Sequence, residues 1–391
     1  MASNGIKDRV AIVGMGCTPF GERWDKSGGD LLVDAAKDTY ASAGVEPDAV
    51  DAYWLGTMGS GISGLMLSEA LKLPYKPVTR LENMCATGSE AMRNAAYAVA
   101  SGAYDLVMAI GVEKLKDSGY SGLVTSRPPD DGTQSSMTAP AMFSLLAPAY
   151  AKKYGVDEGE LKEVISRIAW KNHCNGAKNP KAQFRKEVPM ERIQASPRVA
   201  GMFGIFDCSG VSDGSAAAIL CRAEDAHKYT DSPIFIKALS FAAGPAEGAY
   251  SQDYDFTTFP EVVASATDAY AQAGVENPRE EISMAEVHDC FTATELVLME
   301  DLGFSQRGQG WKDVLDGRFD GTGPQPVNPD GGLKSFGHPI GASGLRMMYE
   351  MWLQLRGEAA ERQIPNPKLG LTHNLGGAPG RCVSFVSVVG K

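Results

Sequence analysis

Asp38-Thr-Tyr-Ala-Ser-Ala-Gly-Val-Glu46 returns later in the chain as Asp268-Ala-Tyr-Ala-Gln-Ala-Gly-Val-Glu276, with seven of nine positions identical. Each copy ends a helical stretch at a glycine, Gly44 or Gly274, and glycine readily adopts the left-handed conformation that terminates a helix. A short apolar run follows each copy, from residue 52 and from residue 284. The repeat predicts two related α/β halves in one chain.

A second pair of matching segments lies further along the chain, in the same order. Cys85-Ala-Thr-Gly-Ser-Glu-Ala-Met-Arg93 aligns with His338-Pro-Ile-Gly-Ala-Ser-Gly-Leu-Arg346, so that Gly88 pairs with Gly341. Each segment leads into an amphipathic stretch, residues 89–100 or 342–355, which we predict to be a helix. Each half is therefore expected to place one reactive side chain at the start of a helix.

Short apolar runs alternate with helical stretches along the chain, which is typical of layered α/β architecture with helices covering the sheets. We assign residues 1–115 and 199–230 to an N-terminal half and residues 231–391 to a C-terminal half. Residues 116–198 are richer in Pro, Gly, Ser and basic residues, and we interpret them as an inserted loop domain with one helix at 158–172. The predicted strands are 10–13, 106–110, 216–221, 234–239, 369–372 and 383–389, the last two forming a hairpin.

Composition excludes several classes of function. The chain has 391 residues, a net charge of −11 and a pI near 5.1, which argues against nucleic acid as a partner. We find no apolar run of the roughly 18 residues that a membrane helix needs, no signal-peptide core and no peroxisomal tripeptide. A cytoplasmic protein without a membrane partner is therefore expected. The seven cysteines form no Cys-x-x-Cys pair and no histidine cluster is present, so neither a metal nor a bound cofactor is predicted.

Cys85 is the first candidate for chemistry. A thiol at a helix start feels the positive end of the helix dipole and nearby unpaired N–H groups, and both favour the nucleophilic thiolate. The same N–H groups could hold the oxyanion that forms when a thiolate attacks a carbonyl. The alternative is a buried structural cysteine.

Histidines supply the other candidates. His338 lies in a glycine-rich segment and could activate the cysteine or polarise a carbonyl, although a single histidine near a helix start is more often structural. His288 and Cys290 follow a predicted strand and precede a predicted helix at 292–302. Side chains two residues apart in extended backbone point the same way, so both are expected to face one cavity, with Asp289 turned away in a structural role. The turn from His373 to Gly380 is rich in glycine and could present N–H groups to a carbonyl oxygen.

Taken together, these motifs resemble the thiolase superfamily, and the resemblance covers nearly the whole chain. Asn-Met-Cys85-Ala-Thr-Gly-Ser resembles the nucleophile segment, Asp213-Gly-Ser-Ala-Ala-Ala resembles the strand that closes the N-terminal half, and Gly337-His338-Pro resembles the Gly-His-Pro motif. The resemblance implies a duplicated five-layered αβαβα architecture with an inserted loop domain.

Two departures indicate the subgroup. Conventional thiolases carry Asn-Glu-Ala-Phe where this chain has His288-Asp-Cys290-Phe, and a second catalytic cysteine in Cys-x-Gly where this chain has Asn374-Leu-Gly376. The combination is similar to the sterol-carrier-protein-2 type thiolases, in which His-Asp-Cys-Phe supplies the second cysteine. No lipid-transfer domain follows residue 391, so the stand-alone form is expected.

The resemblance implies a thiolase that cleaves or forms the Cα–Cβ bond of a 3-ketoacyl-CoA through an acyl-Cys85 intermediate. Cys290 would serve as acid and base, and His338 would take the proton of Cys85. His288 and His338 together would hold the thioester oxygen. Gly376 and Asn374 would bind substrate or oxyanion. Coenzyme A (CoA) is then substrate and product rather than cofactor. A homodimer or dimer of dimers is expected, together with the small zinc-ribbon/OB-fold partner protein that some relatives use.

Several alternatives stay open at this point. The same residues would serve a related acyltransferase with a non-CoA acceptor such as an aromatic carbon. A decarboxylating ketosynthase also pairs cysteine with histidine, but Cys290 has no obvious task there. A non-catalytic subunit with the same fold is opposed by the intact set of reactive residues, and an aldolase is weakened by the presence of Cys85.

Overall fold

The computed structural model describes residues 3–116, 138–249 and 251–391, so residues 117–137 of the predicted loop domain lie outside the described part. The strands are β1 Val10–Cys17, β2 Ala52–Gly56, β3 Val78–Leu81, β4 Leu106–Glu113, β5 Arg198–Ala200, β6 Phe203–Gly204, β7 Gly214–Arg222, β8 Ile234–Ala243, β9 Met284–Glu286, β10 Leu369–Ala378 and β11 Arg381–Gly390. The α-helices are α1 Gly28–Ala43, α2 Leu65–Leu71, α3 Thr87–Ala100, α4 Ala139–Phe143, α5 Leu146–Tyr154, α6 Glu158–Ala177, α7 Met190–Gln194, α8 Pro260–Ala273, α9 Pro278–Glu281, α10 Thr292–Asp301, α11 Gly310–Leu315, α12 Gly332–Ser335 and α13 Ser343–Arg356.

The sheet shows the predicted duplication strand by strand. Its order is β3-β2-β4-β7-β1-β8-β11-β10-β9. In the first half β2 is parallel to β3 and β4, and β7 is antiparallel to β4 and β1. In the second half β9 is parallel to β10, and β11 is antiparallel to β10 and β8, while a parallel bridge from Ala285 to Val327 takes the place of β3. Antiparallel pairing of β1 with β8 joins the two halves.

Helices cover both faces of each half, as the predicted five layers require. Helix α1 and Leu67 of α2 pack on the outer face of the first half. Helices α8 and α10 do the same for the second half, together with residues of the inserted segment. Helices α3 and α13 lie between the halves, where apolar side chains from both form one buried cluster, as the hydrophobic effect favours. The αβαβα architecture is therefore confirmed.

The helix ends follow the repeat that predicted them. Gly44 ends α1 with φ 64° and Gly274 ends α8 with φ 76°, both in the left-handed region that favours glycine. Gly88 of α3 lies against the second half, because a Cβ atom added there would meet the backbone oxygen of Gly341 at 2.8 Å. The two glycines that align in the repeat therefore touch where the halves meet.

The inserted segment is more helical than predicted. It contributes α4 to α7, and α6 runs to Ala177 rather than to residue 172. The boundaries of the loop domain and of the two halves stay a prediction. The sequence also did not predict the edge strand β3, the helix α2 or the small β5–β6 sheet. No helix in the described part of the chain is long and apolar enough to cross a membrane.

Candidate active site

Cys85 sits in the short connection between β3 and α3, two residues before the helix begins. The preceding residue, Met84, has φ 51°, a backbone region that is sparsely populated for residues with a side chain. The N–H of Asn83 donates to the hydroxyl of Thr87 at 2.9 Å, and this hydrogen bond links the two ends of the connection. The predicted position of Cys85 at a helix start is correct, and a residue with a sparsely populated backbone conformation precedes it.

His338 is held in the loop before α13 by two serines. Its backbone N–H donates to Ser212 Oγ at 3.0 Å, and its Nδ1 lies 2.8 Å from Ser343 Oγ. The Ser343 hydroxyl also lies 3.0 Å from the carbonyl oxygen of Pro339, to which it donates. Because the hydroxyl proton of Ser343 is used in that bond, Ser343 Oγ accepts the hydrogen bond from Nδ1–H of His338. The lone pair of the neutral ring is then on Nε2. This Nε2 is buried and has no partner among the described residues.

Glu113 ties the segments of the two halves together. The N–H of Gly341, in the His338 loop, donates to Glu113 Oε2 at 3.0 Å. Gly59 N–H and Ser60 N–H, in the loop after β2, donate to Oε1 at 2.9 Å each. Glu113 is fully buried at the end of β4. A buried carboxylate that accepts several hydrogen bonds holds its donors in a fixed arrangement, so Glu113 sets the distance between the halves at this point.

The His288-Asp-Cys segment follows β9, and its side chains divide as predicted. Asp289 turns into the protein, where it accepts from Leu333 N–H at 2.7 Å and from Asn172 Nδ2 at 2.8 Å. His288 and Cys290 are buried as well, and Cys290 Sγ lies 3.9 Å from Thr294 Oγ1 on α10. The aspartate therefore anchors the loop that carries the histidine and the thiol.

Three of the predicted side chains meet at one point. Cys85 Sγ and one ring nitrogen each of His288 and His338 all lie within 4.8 Å of one another. The two imidazole rings are 5.4 Å apart between centroids and nearly perpendicular, at 81°. These residues come from both halves of the duplication, so the meeting point lies between them.

Gly376 and Asn374, on β10, border the same region. A Cβ atom at Gly376 would lie 2.5 Å from the carbonyl oxygen of Asn83 and 3.2 Å from Met84 Cβ, so only glycine fits against the chain that leads to Cys85. Ser89 Oγ donates to Asn374 Oδ1 at 2.6 Å. That bond fixes the amide orientation, and Asn374 Nδ2 is left as a buried donor with no partner among the described residues.

Burial keeps both thiols protonated at rest. It raises the pKa of Cys85 to about 12, although the residue is only half-buried, and the carboxylates of Glu113 and Glu82 add to the rise. Burial also raises the pKa of Cys290 well above its ordinary range, with Cys85 nearby contributing. The helix start, which favours the thiolate, is opposed here by burial and by two carboxylates. The thiol needs a base when it reacts.

Both imidazoles are neutral and therefore able to act as that base. Burial lowers the pKa of His338 to about 3, with the buried Arg346 cation contributing. Burial holds the pKa of His288 well below its ordinary value, and the neighbouring His338, His373 and Arg346 lower it further. His373 lies on β10, between β9 and β11 in the sheet, and burial lowers its pKa to about 3 as well.

Four residues of the site were not predicted from the sequence: Ser343, Ser89, Glu113 and His373. The sequence placed His373 in a glycine-rich turn, but the structure puts residues 373–378 in strand β10, so only Pro379 and Gly380 lie in the turn before β11. Ser343 lies five residues after His338, in the first turn of the helix that the repeat predicted. Serine and glutamate are too common for one sequence to single out, and only their contacts show what they hold in place.

Comparison with known proteins supports the resemblance over both halves. The family model for the thiolase N-terminal domain matches residues 10–202, and the model for the thiolase C-terminal domain matches residues 242–387. The chain is 38% identical over 380 residues to the acetyl-CoA acetyltransferase of Methanothermobacter thermautotrophicus, covering 95% of this chain and 97% of that protein. It is 33% identical over 392 residues to sterol carrier protein 2 of Homo sapiens, covering 94% of this chain and 70% of that protein.

A solved structure shares the fold along nearly the whole chain. The Ltp2-ChsH2(DUF35) aldolase superimposes with a TM-score of 0.82 at 24% identity, covering 98% of each chain. The duplicated αβαβα layers, the two family models and the two relatives agree with one another. The chain belongs to the thiolase family, in the branch whose relatives include acetyl-CoA acetyltransferases and sterol carrier protein 2.

Proposed function

We propose that this protein is a thiolase that exchanges acyl groups between CoA thioesters by making or breaking the Cα–Cβ bond of a 3-ketoacyl-CoA. The observation that carries the proposal is the convergence of Cys85 Sγ with ring nitrogens of His288 and His338 within 4.8 Å. A thiol beside a neutral imidazole is the arrangement that nucleophilic acyl transfer requires. The name of two relatives, acetyl-CoA acetyltransferase, supports the same reaction class.

In the cleavage direction, Cys85 attacks the keto carbon while His338 Nε2 takes its proton. The Cα–Cβ bond breaks, and Cys290 gives its proton to the carbanion, which leaves as acetyl-CoA. An acyl-Cys85 thioester and a Cys290 thiolate remain. CoA then gives its thiol proton to Cys290 and attacks the thioester, and His338 returns its proton to the departing Cys85 sulfur. Condensation is the reverse of this path.

Two sets of donors would stabilise the charge that develops on oxygen. In this proposal His288 and His338 face the thioester oxygen, where enolate charge forms. The N–H groups of Cys85 and Gly376 face the oxygen of the acyl carbon, and Asn374 Nδ2 adds a donor whose direction Ser89 fixes. Such donors act strongly because the site is largely buried and little reorganisation is needed.

Replacing the two cysteines separates the two chemical steps. Cys85→Ala is expected to abolish acyl-enzyme formation from acetyl-CoA, measured as a mass increase of the intact protein. Cys290→Ala is expected to form that acyl-enzyme but to lose carbon–carbon bond exchange. Cys174→Ala, a half-buried cysteine on α6, serves as control and should behave as wild type. Turnover that survives in Cys85→Ala would end the proposal, and normal exchange in Cys290→Ala would remove that residue from the mechanism.

We further propose a homodimer that pairs the β3 edges of two copies. β3 is the outermost strand of the sheet, and an open edge offers unpaired backbone groups to another chain. Tyr75, Ile62 and Leu65 near this edge are strongly exposed, and Met84 beside Cys85 is 45% exposed. A second copy would cover these apolar side chains and border the acyl site. Ile62→Asp is expected to shift the mass in analytical ultracentrifugation to that of a monomer, and an unchanged mass would refute this interface.

A partner protein and a compartment complete the proposal. The Ltp2-ChsH2(DUF35) aldolase contains a second protein, and we propose that this chain also works with a small zinc-ribbon/OB-fold partner. Copurification from the native source tests this.

We also propose a cytoplasmic location, supported by the fact that all seven cysteines are free. A thiolysis screen over short, branched and aromatic 3-ketoacyl-CoAs would identify the acyl group and separate a thiolase from an acyltransferase with a non-CoA acceptor.

A further inference from the structure

We propose that Cys85, His288 and His338 also form a zinc site, in which Zn²⁺ binds the sulfur and two ring nitrogens and keeps one coordination position open. Zinc prefers sulfur and imidazole nitrogen, and three protein ligands with an open fourth position are typical of accessible zinc centres. The sequence argued against a zinc site because it contains no closely spaced ligand pair. Spacing in the sequence does not decide the matter, because folding brings together three possible ligands that lie far apart in the chain.

The distances suit a metal after a small contraction. With the usual Zn–S and Zn–N bond lengths, ligand atoms in a tetrahedral site lie about 3.3–3.6 Å apart. The three atoms lie within 4.8 Å of one another, so a separation has to shorten by no more than about 1.5 Å. Rotation of the half-buried Cys85 thiol and small turns of the two rings can supply this movement. No carboxylate belongs to the set.

One lone pair is already available. Nε2 of His338 is buried without a partner among the described residues, and Nδ1 of the same ring is bonded to Ser343 Oγ. A metal-bound histidine commonly uses its second nitrogen in this way, and that outer bond fixes the ring for the metal. His288 Nδ1 also has no partner in the described part of the chain. Binding would form one Zn–S and two Zn–N bonds, and the Cys85 proton would pass to solvent.

Metal binding and acyl transfer would exclude each other. The metal would occupy the sulfur that attacks the substrate and the nitrogen that takes its proton, so the metal-bound enzyme would be inactive. Acylation of Cys85 would in turn remove the sulfur ligand. Zinc would therefore act as a reversible inhibitor that competes with acyl-CoA; this inhibition rests on the proposed function, whereas the site itself rests on geometry alone.

Cobalt titration of the full-length protein without substrate tests the site, because a thiolate bound to Co²⁺ absorbs in the near ultraviolet. We expect this absorption in the wild type and in the controls Cys174→Ala and His227→Ala, which remove other accessible ligands. We expect its loss in Cys85→Ala and His338→Gln, and displacement of Co²⁺ by Zn²⁺. Ser343→Ala should weaken metal binding by about 10-fold, the usual effect of losing an outer-shell partner.

A second measurement follows Cys85 directly. Zn²⁺ should slow alkylation of Cys85 by iodoacetamide, read by peptide mass spectrometry, and leave Cys174 alkylation unchanged. The proposal is overturned if the cobalt absorption survives in Cys85→Ala, or if the wild type gives no absorption and Zn²⁺ leaves Cys85 alkylation unchanged. A protein that binds metal but transfers no acyl group would retain this site and refute only the thiolase proposal. Normal thiolase activity without metal binding would refute the zinc site and leave the thiolase proposal intact.

Discussion

Replacing Ser343 by alanine is expected to slow acylation of Cys85 while the fold is kept. The hydroxyl accepts the Nδ1 proton of His338 at 2.8 Å, so its loss leaves a buried N–H without an acceptor, which costs about 1–3 kcal/mol. The ring can avoid that cost by moving the proton to Nε2, but it then has no lone pair for the Cys85 proton. A free-energy bias of about 1.4 kcal/mol toward the wrong tautomer lowers the base-competent fraction tenfold.

The expected result is a rate of acyl-Cys85 formation that falls by about 10- to 100-fold, corresponding to about 1.4–2.7 kcal/mol. KM for the acyl-CoA should change little, because Ser343 is not proposed to contact substrate. The assay is rapid-quench mass spectrometry of the intact protein after mixing with acetyl-CoA. Ser343→Thr keeps a hydroxyl and is expected to restore most of the rate.

Ser335→Ala provides the matched control. Ser335 is buried close to the same loop, and its hydroxyl donates to the Phe184 carbonyl oxygen at 2.8 Å, whereas the Ser343 hydroxyl accepts from the His338 ring. Ser335→Ala should lose about 1 kcal/mol of unfolding free energy in urea, the typical value of one hydrogen bond, and Ser343→Ala should lose about 1–3 kcal/mol because it also leaves a buried N–H unpaired. Only Ser343→Ala should lose acylation rate. If Ser335→Ala slows acylation equally, or Ser343→Ala acylates at the wild-type rate, the assigned tautomer of His338 is refuted.

Two further predictions concern stability. Gly88→Ala should destabilise the protein by about 1–3 kcal/mol in urea unfolding and lower activity, because the new Cβ meets the Gly341 backbone oxygen at 2.8 Å. The control is Gly29→Ala in α1, where the new Cβ makes only ordinary van der Waals contacts and should cost no stability. His373 has a folded pKa of about 3, below the unfolded value of about 6.5, so the unfolded state binds more protons in that window and stability falls as pH falls through it. Comparing urea unfolding at about pH 7.5 and about pH 5, His373→Asn should lose about 2 kcal/mol of the wild-type difference. An unchanged difference would show that burial does not lower the pKa of this histidine.

Much of the architecture could be predicted because it repeats. Gly44 and Gly274 mark equivalent helix ends, and the backbone conformation there leaves little choice of residue. The second pair of segments located Cys85 and His338 for a similar reason, since helix starts and tight backbone contacts restrict sequence. Strand β3 was missed because it is a short edge strand whose Val-Thr-Arg-Leu sequence has no continuous apolar run.

The sequence could suggest which residues belong to the candidate site, but not how deeply they are buried or which charges lie near them. His288 and Cys290 could be assigned to one side because they are close in sequence, although the backbone there is a turn and not a strand: β9 ends at Glu286, and the N–H of Asp289 donates to the Val287 carbonyl oxygen at 2.9 Å. The protonation state of Cys85 is not local, since it depends on burial and on Glu113, which reaches it from the end of another strand. The ligand set for a metal is likewise created only when both halves come together.

The contact between Gly88 and Gly341 has a consequence for how such chemistry can arise. Two separate copies of a single half, related by a twofold axis, would place identical side chains at both helix starts. Such an assembly would have two thiols or two imidazoles, but not one of each. Joining the copies in one polypeptide removes that constraint, because each position can then change independently. The covalent link through the chain is therefore what allows a nucleophile to face a base across an otherwise symmetric junction.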